Sequence, residues 1–337
     1  MQFWINYRKY IGNDMDEKYI IQKYFAPLAK NDEALNLNDD VSQIDITLHK
    51  NLITNQDSLV MGTHFFADDD PEYIAKKAIR VNVSDIISKG VSPYGYYLSL
   101  GINSIVNEDW VRSFTNGLAQ DQKYYNLKLL GGDTIFSSNT IFISINMISF
   151  SDNKIVSRST AITDDDIYVT GTIGESALGL YILKEKNNKI KISDFNRKRL
   201  ISRYHLPEPN LKYSDLIQKF ANSSMDTTDG LLNDLKNLSV KSGKDFCIDL
   251  DKIPYSDSAT EFLKQFNNYD IVNFGGDDYE CIFSANKDNR NLISDFVHQQ
   301  NIQVTKIGRV LQGSKEPVII DQKNNLIGSS NFTFKHF

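Results

Sequence analysis

Strand-length apolar runs alternate with helix-length periodic runs twice along this chain, and a polar joint separates the two series. In the first series, Tyr19, Ile20, Lys23, Tyr24 and Leu28 recur at spacings of three and four, which predicts a helix over 16–28. Strands are expected over 41–48 and 58–65, joined by the turn-prone residues 51–55. A helix over 71–88 follows, with Asp70 as N-cap, Pro71 at the first helical position and Gly90 closing it. Then come a strand (94–102), a helix (108–125) and two strands (127–130 and 140–150) flanking Gly131-Gly132-Asp133-Thr134, read as a loop. The joint, 151–166, ends in three aspartates. The second series holds a strand (167–170), a glycine-bearing turn and a helix (176–186), with Pro207 and Pro209 enforcing a non-helical connection. It continues with a helix (231–242), strands at 246–250 and 279–284, and a helix at 291–299. With about 100–200 residues per domain, 337 residues divide into two. The boundary is set near Arg158, giving an extension (1–15), an N-terminal domain (16–157) and a C-terminal α/β domain (158–337) in an α+β chain.

Composition excludes several classes. The formal net charge is −6, so the basic face that a nucleic-acid binder needs to displace counterions is missing. Cys247 and Cys281 are too few for a disulfide framework or a four-thiolate zinc site, and read as packed thiols in a reducing compartment. No apolar run approaches the roughly 20 residues of a membrane span, and no signal peptide opens the chain. A cytoplasmic protein is expected.

The placement of aspartates carries the chemistry. Asp85 lies in the apolar stretch Val81-Asn82-Val83-Ser84-Asp85-Ile86-Ile87, where a carboxylate needs a cation, a metal or hydrogen bonds, although a pair with Lys89 four residues on would also serve. Asp39-Asp40 and Asp57 precede expected strands, where turn chemistry is the alternative. Gly131-Gly132-Asp133 and Gly275-Gly276-Asp277-Asp278-Tyr279-Glu280 share one design, in which glycines let a ligand approach the backbone and a carboxylate beside them can hold a metal that bridges to phosphate. Asp226-Thr227-Thr228-Asp229-Gly230 opens a helix, whose N-terminus favours anions; a plain N-cap is the other reading. Scattered aspartates with few clustered basic residues fit a site that neutralises polyphosphate through Mg²⁺. No P-loop is present, since Gly243-Lys244 is followed by Asp245, and no kinase H-R-D signature occurs. The glycines of 171–179 lack the dinucleotide spacing and are read as turn and helix packing.

Taken in order, these stretches resemble the thiamine-monophosphate kinase family, within the superfamily of aminoimidazole ribonucleotide synthetase and selenophosphate synthetase, from about Asp16 to Phe337. The match runs through Asn38-Asp39-Asp40, Asp57-Ser58-Leu59-Val60, Gly62-Thr63-His64-Phe65 and Val81-Asn82-Val83-Ser84-Asp85. It continues through the two glycine-aspartate motifs, Val169-Thr170-Gly171-Thr172, 226–231 and His336-Phe337. The resemblance implies an N-terminal α+β domain that dimerises through its sheet, and direct transfer of the ATP γ-phosphate to thiamine monophosphate with no covalent nucleophile. It implies Mg²⁺ ligands at Asp40, Asp57, Asp85, Asp133, Asp226 and Asp229, with Gln56 contributing. ATP contacts fall on Gly132, Asp133, Arg158 and Thr228; His64, Asp277 and Phe334 would meet thiamine monophosphate. Another synthetase of the superfamily, or a non-catalytic nucleotide-binding dimer, is the alternative. Departures from the family pattern include Asn38 for Gly, Gln56 for Thr, Asp277 for Glu, and Asn331 flanked by Phe332 and Phe334 where Trp is expected.

Overall fold

Helix α1, Pro71–Ser88, forms where local chemistry dictates. The Asp70 side chain accepts the Glu72 amide at 2.9 Å, and Gly90 at φ +76° ends the helical course. The computed structural model describes residues 17–37, 41–185 and 190–328. Asn38, Asp39, Asp40, Asn331, Phe332, Phe334, the C-terminal His336-Phe337 and the first fifteen residues fall outside them. The described chain divides into two compact units, 1–83 with 92–153, and 84–91 with 154–337, so α1 belongs to the first unit up to Val83 and to the second from Ser84.

The first unit is built on a four-stranded sheet of order β1-β4-β2-β3: β1 Asn51–Val60, β2 Pro93–Ile102, β3 Lys128–Phe136 and β4 Phe142–Ser151. Two expectations change here. Residues 41–48 are irregular, and the strand begins in the expected turn, because Asn51 to Val60 pair antiparallel with Ser151 to Phe142 along their whole length. That pairing outweighs the turn preference of Asn51 and Asn55. Gly131-Gly132-Asp133-Thr134 is likewise inside β3, not a loop. A bulge between Tyr96 and Tyr97 brings β2 and β3 so close that a Cβ on Gly132 would lie 2.1 Å from the Leu98 carbonyl. The helix expected over 16–28 is present from Glu17 to Leu28, an α-helical turn (Glu17–Ile20) that runs into π-helical (Ile21–Phe25) and 3₁₀ (Ala26–Leu28) turns.

Helix α2, Glu108–Tyr125, is capped by the Asn107 side chain on the Trp110 amide. It crosses α1 closely at Gly117, where a Cβ would meet the Glu72 carbonyl at 2.4 Å, and the Arg80 guanidinium binds Asp121 through two hydrogen bonds of 2.7 and 2.9 Å. Leu59, Leu98, Leu100, Ile143, Ile145 and Met147 are buried on one sheet face. The alternate positions (Leu52, Gln56, Ser58, Ser99, Asp133 and Ile135) remain exposed on the other.

The second unit has a six-stranded sheet ordered β10-β7-β9-β5-β8-β6, antiparallel except for the β10–β7 pair. Its strands are β5 Asp166–Thr170, β6 Ala221–Asp226, β7 Phe246–Ile248, β8 Cys281–Ala285, β9 Val304–Val310 and β10 Ile319–Asp321. The helices are α3 Glu175–Lys184, α4 Asp194–His205, α5 Lys212–Phe220, α6 Leu231–Ser242, α7 Asp257–Phe266, α8 Tyr269–Phe274 and α9 Arg290–Gln300. Leu231, Leu235 and Leu238 of α6 pack with Ile167, Val169, Phe246, Ile282 and Ile307 from the sheet. Gly179 lets α3 approach α4, since a Cβ there would sit 2.1 Å from the Leu200 carbonyl. Cys247 and Cys281 are free and buried. No helix among the described residues is long and apolar enough to cross a membrane.

Candidate phosphate and metal site

In the first unit, two expected ligands sit on opposite faces of the sheet. Asp57 pairs with Ile145, which pairs with Leu98, so its side chain belongs to the buried-side row. Its amide donates to the Asn82 side chain at 3.0 Å, and the Asn55 amide nitrogen also reaches Asn82, which fastens β1 to α1. Asp133 shares its row with Ser99, Ser144 and Ser58 on the open face. The Gln56 side chain points the same way and donates to Ser144 at 3.0 Å. His64 lies in a turn after β1, begun by Gly62 at φ +88°, and its Nδ1 accepts the Val60 amide at 3.1 Å.

The second unit gathers more of the expected residues. The segment 226–230 and the segment 275–280 are laced together by backbone hydrogen bonds. The Asp277 amide reaches the Thr228 carbonyl at 2.9 Å, the Tyr279 amide reaches the Thr227 carbonyl at 2.8 Å, and the Thr227 amide reaches the Glu280 carbonyl at 2.7 Å. A Cβ on Gly276 would lie 2.1 Å from the Thr228 carbonyl, so glycine is required for the two segments to meet. Thr228, Asp229 and Asp277, all half-buried, therefore come to one place, with the buried Asp226 at the base of the first segment.

Asp226 accepts the Ser84 hydroxyl at 2.7 Å. Burial, then the nearby Asp85 carboxylate, pushes it up to about 7. Lys89, mostly buried, donates to the Ser224 carbonyl at 2.7 Å rather than standing free on the surface. Burial lowers the Lys89 pKa, while Asp226 and Asp85 act against that fall. Arg158 is exposed; its carbonyl accepts the Ser242 hydroxyl at 3.1 Å.

Sequence reading passed over several residues here. Asp234, in the first turn of α6 and only 1% exposed, accepts the Thr228 and Asp229 amides at 2.9 and 3.0 Å through one carboxylate oxygen. Its other oxygen is buried with no hydrogen-bond partner. Burial raises the Asp234 carboxyl well above its ordinary value, and Asp229 and Asp226 add to the rise. Beneath the second segment, Arg203 bridges Glu175 (3.4 Å), Glu208 (2.7 Å) and Glu280 (3.3 Å). Glu280 also accepts the Thr170 hydroxyl at 2.6 Å. The acid doublet in Asp277-Asp278 was the available signal, because one of two adjacent acids is turned inward.

The donors are all oxygen atoms, the chemistry that hard divalent cations take. Asp85 repels Asp226, Asp226 and Asp229 repel Asp234, and one Asp234 oxygen is orphaned; an added cation would offset both the repulsion and the orphaned oxygen. Among the described residues no three carboxylate, histidine or cysteine side chains converge tightly enough to hold an ion unaided.

Residues 38–150 match the family model for the AIR synthase related protein, N-terminal domain. Thiamine-monophosphate kinase of Escherichia coli K12 is 32% identical over 316 residues, 90% of this chain and 95% of that protein. The crystal structure of thiamine-monophosphate kinase from Stenotrophomonas maltophilia K279a superposes with a TM-score of 0.82 at 26% identity, covering 93% of this chain and 98% of that one. The structure of AaThiL complexed with AMPPCP and TMP gives a TM-score of 0.76 at 28% identity, covering 97% and 98%.

Proposed function

Because the chain belongs to the thiamine-monophosphate kinase family, we propose that it transfers the ATP γ-phosphate directly to thiamine monophosphate, yielding thiamine diphosphate and ADP. The observation that carries the reading is the lacing of 226–230 to 275–280, in which backbone hydrogen bonds of 2.7–2.9 Å tie Thr227 and Thr228 to Asp277, Tyr279 and Glu280. Nucleotide-side and acceptor-side groups thereby share one rigid support, and alignment is most of what phosphoryl transfer asks of a protein.

In the transfer, an oxygen of the acceptor phosphate forms a bond to the γ-phosphorus as the bond to the β,γ-bridging oxygen breaks, and ADP departs with that oxygen. No protein nucleophile intervenes. Thr228 offers a hydroxyl and Gly132 an open backbone to the ATP phosphates, and Arg158 offers a positive charge to them. His64 and Asp277 orient the thiamine monophosphate, with Phe334 against its ring. Asp40, Asp57, Asp85, Asp133, Asp226 and Asp229, with help from the backbone at Gln56, would hold magnesium, which would supply the charge that neutralises the phosphates. Asp57 and Asp133 lie on opposite sheet faces, so in this reading they serve different ions.

Residues 16–157 take the dimerising role through the open sheet face, where Leu52 and Ile135 are 58% and 45% exposed. Residues 158–337 carry the laced segments. The reading places the enzyme in the cytoplasm, with its supply of Mg-ATP. Incubation with Mg-ATP and thiamine monophosphate, followed by chromatography, should yield thiamine diphosphate and ADP in equal amounts. Failure to form it, together with turnover of formylglycinamidine ribonucleotide, would overturn the assignment. Dimerisation is checked separately by sedimentation of Leu52→Asp, which should be monomeric.

A further inference from the structure

The second laced segment holds a backbone that its sequence does not favour. Asp277 and Tyr279 both lie in the left-handed region, at φ +70° and φ +54°. A carboxylate residue tolerates that region better than a bulky aromatic does, and two such residues within three positions persist only where the surroundings dictate the conformation. Three sets of bonds do so. The Asp277 and Tyr279 amides are fixed on the Thr228 and Thr227 carbonyls at 2.9 and 2.8 Å. Asp278, between them and 2% exposed, turns its carboxylate inward onto the start of α3, accepting the Gly174 amide at 2.7 Å and the Ser176 amide at 3.4 Å. The Tyr279 phenol bends back and donates to Asp277 Oδ1 at 3.2 Å.

The result is a closed loop in which one acid anchors, an aromatic hydroxyl braces, and the remaining acid is presented. Gly275 and Gly276 leave no room for another arrangement, since a Cβ on Gly275 would sit 2.3 Å from the Ile271 carbonyl. A short side chain such as aspartate gains reach only by moving its backbone, and this backbone is pinned on both sides. The position and direction of the Asp277 carboxylate are therefore set by its neighbours.

We infer that Tyr279 and Asp278 are positioning residues that aim the Asp277 carboxylate at the acceptor, and that they set affinity for thiamine monophosphate and not for ATP. The inference rests on the reading of Asp277 as an acceptor contact. Tyr279 acts through its hydroxyl, and Asp278 through the bond to α3.

Steady-state kinetics of the full chain, with each substrate varied in turn, separate this role from a merely structural one. Tyr279→Phe keeps the ring and removes one hydrogen bond to a charged group. It should raise KM for thiamine monophosphate about 5- to 10-fold, leaving KM for ATP within about twofold. Asp278→Asn should give the same split with a larger rise, and Asp278→Glu should recover part of it. In an Asp277→Ala background, Tyr279→Phe should have no further effect on KM, because the group it aims is gone. An unchanged KM in Tyr279→Phe, equal rises for both substrates, or full additivity with Asp277→Ala would overturn the inference. If Asp278→Asn does not fold, the Tyr279→Phe series decides alone. A wild-type chain that forms no thiamine diphosphate would remove the parent reading and this one together, and that result is visible before any variant is made.

Discussion

The acids of the two units stand in contrasting surroundings. In the first unit Asp133 stands exposed on the open sheet face, while Asp57 is half-buried in the opposite row. Asp226, Asp234, Asp278 and Glu280 are at most 5% exposed, and burial raises all four carboxyls. The contrast teaches that one residue type has two costs. A carboxylate on an open sheet can be given up with little harm to folding, so its loss reports on chemistry. An acid inside the second unit also holds the backbone, and its loss reports on both.

The largest effect should separate the two most cleanly. Asp133→Asn is expected to lower kcat by about 100- to 1,000-fold, while urea unfolding shifts by no more than about 0.5 kcal/mol, as for an exposed substitution. A marked fall in stability would erase the contrast. In the second unit, Arg203→Ala leaves Glu175 and Glu280 buried without their guanidinium. Equilibrium unfolding should register a loss of about 3–5 kcal/mol. A loss below about 1 kcal/mol would mean that water already screens the cluster.

The pH dependence of stability should differ in sign between the regions. Burial pushes Asp278 up to about 8 and Glu280 up to about 7, against the opposing pull of Arg203. The folded chain then binds more protons than the unfolded chain from about pH 4 to pH 8. Their stabilising contribution is complete below the ordinary carboxylate range and is lost as pH rises through 7 and 8. Glu33, in the first unit, opposes its own burial with hydrogen bonds from Lys128 and Tyr94 and is held down to about 2. Its contribution is present above the ordinary carboxylate range and is lost as pH falls toward 2. Between pH 5 and pH 8 only the first pattern operates, so Tm measured with EDTA should drift downward as pH rises. Asp278→Asn should flatten the drift, and an unaltered slope would exclude Asp278 as its source. The smallest effect is the loss of a helix cap: Asn107→Ala should cost about 1 kcal/mol at full activity, and reduced turnover would show that α2 bears on the chemistry.

Legibility followed the range of the interactions. Helix α1 could be read from Asp70, Pro71 and Gly90 because capping is local. The start of β1 at Asn51 could not, because its reason is a pairing with Ser151. Gly132 looked like a loop residue, yet its small size serves the approach of two strands. Helices α4 and α5, on either side of Pro207 and Pro209, went unassigned in a stretch whose polar residues mask Leu200, Leu216 and Ile217. At the candidate site Asp133, Asp229 and Asp277 were legible from the glycines beside them, and the buried Asp226 from the segment it shares with Asp229. Asp278 was not, because its partner amide lies 104 residues away. Arg203 was hidden in the same way, its acidic partners being scattered over 175–280.

The passage of α1 from one unit to the other between Val83 and Ser84 bears on how this chain can be divided. No single cut yields two self-sufficient pieces. A fragment beginning at Lys154 lacks Ser84 and Lys89, so the Asp226 carboxylate and the Ser224 carbonyl each lose a donor. Split reporters, domain exchanges between relatives and circular permutants of this chain therefore need the segment 84–91 supplied along with the later half.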